Sequence, residues 1–274
     1  MRNILIVLLV VHASLAAAST TEKSVSEPKI AASDTARSAQ QIVSDYQAAI
    51  GNESAWKKHQ SIHIKREISM KAMHFSGTEE MVIAQGGKFY DTSVMPGIGT
   101  LQIGTNGKVV WSDDPINGLR ILKGAEAEEV QLAAIWNAEW RLQQTYKSIR
   151  LVPLPAEAPA DTQWECIELQ KSVGKPTILC FDSKTHLRVL EKGTKASLGG
   201  DMPYSSRFSD WRKVNGVLVW HQEVLSVGPM ILEAKVTRIA FDKPIPPKRF
   251  ELPVKLTAPT KKPEASPPAE LSPP

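Results

Sequence analysis

The sequence predicts a mainly β protein: one broad antiparallel sheet of about ten strands, curled so that helices sit in its concave side. Three observations carry this. Segments that alternate apolar and polar residues recur along the chain. The clearest is Ser61 to Lys71, where Ile62, Ile64, Ile68 and Met70 share one face and His63, Lys65, Glu67, Ser69 and Lys71 the other. Two of the turns between such segments are Asn-Gly, at Asn106-Gly107 and Asn215-Gly216, the dipeptide that best tolerates the positive φ angles of a tight hairpin. Helical periodicity is confined to two stretches, which excludes βαβ alternation and leaves too little helix to cover the sheet from outside.

The chain of 274 residues opens with Arg2, the apolar run Ile4 to Val11 and Ala16-Ala17-Ala18. That order reads as a signal peptide over 1–18, cleaved near Ala18, with an apolar core too short for a membrane span. Residues 19–33 are a polar leader without period. Ser33 or Asp34 is placed to cap a helix from Ala36 to Ile50, whose stripe is Ile42, Tyr46, Ala49 and Ile50 and whose stop is Gly51. After the strand at Ser61, Thr78 to Tyr90 continues as a strand with Met81 and Ile83 in alternation, bent at Gly86-Gly87. A hairpin at Leu101 to Trp111 and a short strand at Leu119 follow.

Glu126 to Tyr146 reads as one long helix. Projected at 100° per residue, Leu132, Ile135, Trp136, Trp140 and Leu142 form a stripe, with Glu139 and Gln143 inside it. Further strands run to Phe241, including the long hairpin Pro203 to Leu225, in which Phe208 and Trp211 fall on opposite faces. The folded domain is assigned to 34–252. Residues 253–274, rich in Pro, Lys, Ala and Ser, form a tail that cannot bury enough surface to order itself.

The formal charge is +4, falling by one if Arg2 leaves with the leader, and the basic residues are dispersed. Nucleic acid is not an expected partner. His59, His63, His74, His186 and His221 have no metal-motif spacing, and no nucleophile elbow, zinc-protease helix or P-loop occurs, so neither catalysis, metal nor cofactor is expected. A hairpin centred on Val173 sets Cys166 opposite Cys180. In an exported chain a disulfide there is favoured over two buried thiols.

Two charges stand in apolar company. Arg66 lies on the apolar face of the Ser61 strand and Glu139 in the stripe of the long helix. Either they pair beneath the helix as a latch, or Arg66 reaches to the rim. Trp136 and Trp140 share the helix face with Glu139, a mixed surface suited to roofing a cavity.

In order along the chain, the alternating QSIHIKREISMK, the Lys88-Phe89-Tyr90 strand end, Asn106-Gly107-Lys108 leading to Trp111, the Phe208-Ser209-Asp210 to Gly216 hairpin and the Phe250 to Pro253 close resemble the LolA/LolB-type lipoprotein-sorting carriers of the Gram-negative periplasm. The carriers' K-R-P turn falls here on Gln85-Gly86-Gly87. The resemblance implies a half-open antiparallel β-barrel of about ten to eleven strands with helices lidding its hollow. It also implies a periplasmic monomer that carries lipid or lipoprotein acyl chains and meets a membrane transport or receptor protein. The site expected on this basis is Ile62, Ile64, Arg66, Ile68, Met70, Met81 and Ile83 on the sheet, with Leu132, Ile135, Trp136, Glu139 and Trp140 on the lid. Relatives of this fold that act as stress sensors or scaffolds supply the alternative, in which a protein is bound.

Overall fold

The computed structural model describes residues 37–196 and 200–253. The predicted signal peptide, the leader, the proposed caps Ser33 and Asp34 and the tail from residue 254 lie outside the described residues. The helix α1 (Ala39–Ala49) is capped instead by Ser38, whose hydroxyl accepts from the Gln41 amide, and Gly51 ends it at φ +107°.

Thirteen described strands form a single antiparallel sheet: β1 (Ser61–Met70), β2 (Phe75–Ala84), β3 (Lys88–Met95), β4 (Gly99–Asn106), β5 (Val110–Asp114), β6 (Gly118–Ile121), β7 (Ser148–Val152), β8 (Trp164–Gln170), β9 (Thr177–Asp182), β10 (Arg188–Lys195), β11 (Met202–Val214), β12 (Val217–Val227) and β13 (Met230–Phe241). Thr78 to Tyr90 is not one bent strand. Gly86 and Gly87 both take positive φ, and the chain turns back there so that β2 and β3 pair as a hairpin. Asn215 and Gly216 take the positive φ values that a tight hairpin turn demands, and Val214 pairs with Val217 across it.

The strand order is β6-β5-β4-β3-β2-β1-β13-β12-β11-β10-β9-β8-β7. Two meanders therefore meet at a β1–β13 seam, and β6 and β7 are the two edges of an open sheet. Both edges are short, which limits the unpaired backbone they present. The connection from Leu122 to Lys147 must leave one edge and arrive at the other. On a curled sheet the short way runs across the concave side, so the lid's position follows from the topology.

That connection is not one helix. Helix α3 (Gly124–Ala133) ends at the cap Ala134, Asn137 sits in the left-handed region at φ 57°, a single 3-10 turn covers Ala138–Trp140, and α4 (Leu142–Thr145) is one turn long. Asn is the non-glycine residue that enters this region most readily, and no Gly or Pro marks the break. One helical projection thus fails beyond Ala134: Glu139 is buried while Gln143 is exposed. Helix α3 is tied to both arms of the sheet through its first two turns. Arg120 on β6 makes a bidentate pair with Glu126 at 2.8 and 2.9 Å, and Lys171, just past β8, pairs with Glu129.

The main core lies between these helices and the concave face. Ile42, Val43, Tyr46 and Ile50 of α1 and Val130 and Ala133 of α3 pack with Ile62, Ile64, Met81, Ile83 and Phe89 of the sheet. Asp210 is at φ 56°, which interrupts the alternation of β11 and turns Trp211 to the same core as Phe208, against the simple two-face reading. On the convex side Cys166 and Cys180 stand directly opposite in the β8–β9 register and form a disulfide. They close a loop with a sequence separation of 14, worth roughly 3 kcal/mol on a chain-entropy account.

Candidate functional site

The lid covers a void of about 20 Å³ walled by Trp56, Ile62, Ile83, Ala133, Ile135, Trp136, Asn137, Ala138, Glu139 and Trp140. Six of these are among the predicted sheet and lid residues and lie together: Ile62, Ile83, Ile135, Trp136, Glu139 and Trp140. Ile64 and Met81 lie in the same apolar cluster, and Leu132 is half-buried on α3. Trp56, on the short helix α2 (Glu53–Lys57), was not anticipated. A ligand site for a drug-sized molecule occupies roughly 300–1,000 Å³, so the space is closed as it stands. Opening it requires the lid to move.

Ile68 and Met70 do not share this compartment. They belong to a second apolar cluster with Met95, Leu101, Tyr204, Leu225, Val227 and Leu232. What separates the two clusters is a buried band of charge at one level of the concave face. On β1 the inward residues run Ile64, Arg66, Ile68. On β2 they run Gly77, Glu79, Met81, and on β3 Phe89, Asp91, Ser93, Met95. On β12 Glu223 precedes Leu225, and on β11 Ser206 lies between Tyr204 and Phe208.

Arg66 pairs with Glu79, its neighbour in the β1–β2 register, at 2.5 Å, and with Glu223 at 3.0 Å. Neither expectation for Arg66 holds: its partner is not Glu139, and it does not reach the rim, being 1% exposed. Strand β13 lies between Arg66 and Glu223, where Ala234 stands opposite Glu223 and its single methyl leaves the path open. Ser206 donates to the other oxygen of Glu223 at 2.9 Å.

The band continues through aromatic rings to a second cluster. Arg66 lies over Trp220, Trp220 packs on Phe208, and Arg188 lies over Phe208 at 4.5 Å. Arg188 pairs with Glu191 at 3.3 Å and with Glu139 at 3.5 Å, and Tyr204 donates to Glu191 at 2.7 Å. A bulge between Arg188 and Leu190 lets Arg188 and Glu191 both face inward from one strand. Glu139 is therefore held by β10 and by α1: Tyr46 bonds to its carboxylate, and the Gln47 amide donates to its backbone carbonyl at 2.7 Å.

Burial would lower the Arg66 pKa, but Glu79, Glu223 and Asp91 together hold it above the ordinary value. Burial likewise opposes the charge on Arg188, and Glu139, Tyr46 and Glu191 sustain it. Burial raises Glu223, while Arg66 and the Ser206 hydroxyl pull the other way. Asp91 is raised well above the usual carboxylate range, first by burial and then by Glu79, which repels its charged form and accepts a hydrogen bond from its protonated form.

This has a measurable consequence. A carboxyl whose pKa is raised by folding contributes stability that is complete below the unfolded-state value of about 4 and is lost as pH rises through the native value. Asp91→Asn keeps the shape and the donor and removes the titration. In urea unfolding from mildly acidic to mildly alkaline pH, the variant should gain stability relative to the parent at the alkaline end. Parallel pH profiles for the two proteins would rule this out.

A thirteen-stranded open antiparallel sheet with a helical strap across its hollow is the architecture of a LolA-like half-open β-barrel. Among solved structures, a LolA superfamily protein from Nitrosomonas europaea is similar at a TM-score of 0.51 with 15% identity, over 79% of this chain and 98% of that one. A DUF1329 family protein from Desulfovibrio piger is similar at a TM-score of 0.50 with 10% identity, over 78% and 97%. At these identities the likeness establishes the fold. No family model matches the sequence, and no curated protein matches it.

Proposed function

We propose that this protein is an exported carrier that holds the acyl chain of a lipid or lipoprotein between the concave sheet and its lid, working in the periplasm without catalysis and as a monomer. The observation that supports this best is the apolar space under a broken lid. Its sheet wall is Ile62 and Ile83, continuous with Ile64 and Met81 in the same apolar cluster, with Trp56 from α2. Its roof is Ile135, Trp136 and Trp140, on a segment interrupted at Asn137. The band at Arg66 marks the floor, so an occupant extends on the lid side of it. Ile68 and Met70, beyond the floor, are left out of the proposed site. Burying each methylene contributes about 0.8 kcal/mol, which offsets the contacts broken when the lid lifts, and transfer to a membrane receptor then needs no energy source of its own.

The test is an environment-sensitive fluorescent probe that carries an ester-linked acyl chain. The parent protein should bind it, and Trp136→Glu, which places a carboxylate in the apolar roof, should weaken binding by at least tenfold while leaving the far-UV circular dichroism spectrum intact. Equal affinity in the two proteins would remove the lid from the site. Absence of probe binding, with a membrane protein co-purifying instead, would favour the alternative in which this fold binds a protein partner.

A further inference from the structure

Three tryptophans wall the void under the lid, and the indole N–H of each of them, Trp56, Trp136 and Trp140, is buried without a hydrogen-bond acceptor. The Asn137 side-chain oxygen beside them is also buried without a donor. Trp56 and Trp136 are more than nine-tenths buried, at 4% and 8% exposure. A buried donor left unmatched is unfavourable, and native proteins leave few of them. Trp111 and Trp211 also carry unmatched indoles, but neither borders this void. Three tryptophans with unmatched donors around one void is a different arrangement from one donor stranded in a core.

We infer that the lid pocket recognises the carbonyl oxygen through which an acyl chain is attached, in an ester or an amide, and not the hydrocarbon alone. The inference rests on the carrier reading and narrows its ligand. A carbonyl oxygen is an acceptor with two lone pairs and no charge. The closed void, about 20 Å³, has room for a group about the size of one water molecule. The sheet wall beneath it is hydrocarbon, Ile62 and Ile83, continuous with Ile64 and Met81. An acylated ligand matches that sequence of surfaces, with an acceptor at the tryptophans and methylenes along the isoleucines. The Asn137 oxygen adds a place for a donor, such as an amide N–H or a neighbouring hydroxyl. A carboxylate is a poorer match, because its charge would be desolvated next to Glu139.

The experiment compares two ligands that differ in one atom pair. Palmitoyl lysophosphatidylcholine carries the ester carbonyl, and its hexadecyl ether analogue lacks it. Both are titrated into the full chain below their micelle concentrations, with the indole N–H resonances of nitrogen-15-labelled protein as the second readout. The ester should bind roughly five- to tenfold more tightly, the range that a net hydrogen bond supplies. One or two of the indole signals of Trp56, Trp136 and Trp140, as many as one carbonyl oxygen can accept from, should move downfield with the ester and not with the ether. Equal affinity for the two lipids would overturn the inference while leaving the carrier reading standing. An ester preference without movement of any of those indoles would overturn the assignment to the tryptophans. Binding of neither lipid would overturn the carrier reading, and this inference with it.

Discussion

Arg66→Leu should lower the unfolding free energy by about 3–5 kcal/mol, the usual cost of removing one partner from a buried ion pair. The guanidinium is 1% exposed and stands between Glu79 and Glu223. Without it, two carboxyls remain in a low-dielectric band that already holds Asp91, and they must take up protons or draw in water. That loss is a large fraction of the 5–15 kcal/mol typical of a domain. Replacing Arg66, Glu79 and Glu223 together by apolar residues of similar volume should recover most of it, because the cost lies in uncompensated charge and not in lost volume. Urea denaturation of the single and triple variants checks both statements. A single variant within about 1 kcal/mol of the parent would show that the pair contributes little. Arg66 touches the sheet and not the lid, so its replacement is a stability change and carries no direct effect on ligand release.

Glu139→Gln should act on the lid. Glu139 is the lid residue that meets β10 through Arg188 and α1 through Tyr46 and Gln47. The amide keeps the size and drops the charge, while Arg188 keeps Glu191 at 3.3 Å. The global loss should therefore be smaller, about 1–3 kcal/mol. The larger sign should be local. Amide hydrogen exchange across 134–146 should accelerate by at least tenfold, with α3 unchanged because Arg120 and Lys171 still stake it. If the melting temperature falls while exchange in 134–146 holds, Glu139 braces the core and does not tether the lid.

The sheet was largely legible because its signals are local. Alternation from Ile62 to Met70 is visible in ten residues, and Asn-Gly fixes φ signs whatever the surroundings. The Cys166–Cys180 pair follows from the symmetry of one hairpin. The lid was legible in composition and not in shape: a run such as AEAEEVQLAAIW favours helix throughout, and the stop at Ala134 depends on the chain having to cross between two edges. The charged band was half visible. Arg66 was recognisable as a charge in the apolar phase of its strand. Glu79 and Asp91 obey the same rule, in phase with Met81 and Phe89, and Glu223 is in phase with Leu225. Their pairing was not readable, because it depends on which strands lie side by side, and Arg66 meets Glu223 only because β13 returns to β1. Trp56 as a wall of the pocket had no signal beyond being aromatic.

The β1–β13 seam sets an order of events for folding. Each meander consists of neighbours that can pair as soon as they are made, but the seam joins segments 172 positions apart, as Lys65 and Thr237 are. Loop closure over such a span adds little thermodynamic penalty, since each doubling of length costs only about 0.6 kcal/mol. Its effect falls on timing. Until the last strand arrives, β1 is a long, apolar, unpatched edge at the front of the chain, and β2 to β6 can assemble on one side of it only. Through that interval the half-built sheet is open to pairing with another copy of itself. A segment that shields β1 until β13 docks would do more for the yield of folded protein than any gain in final stability.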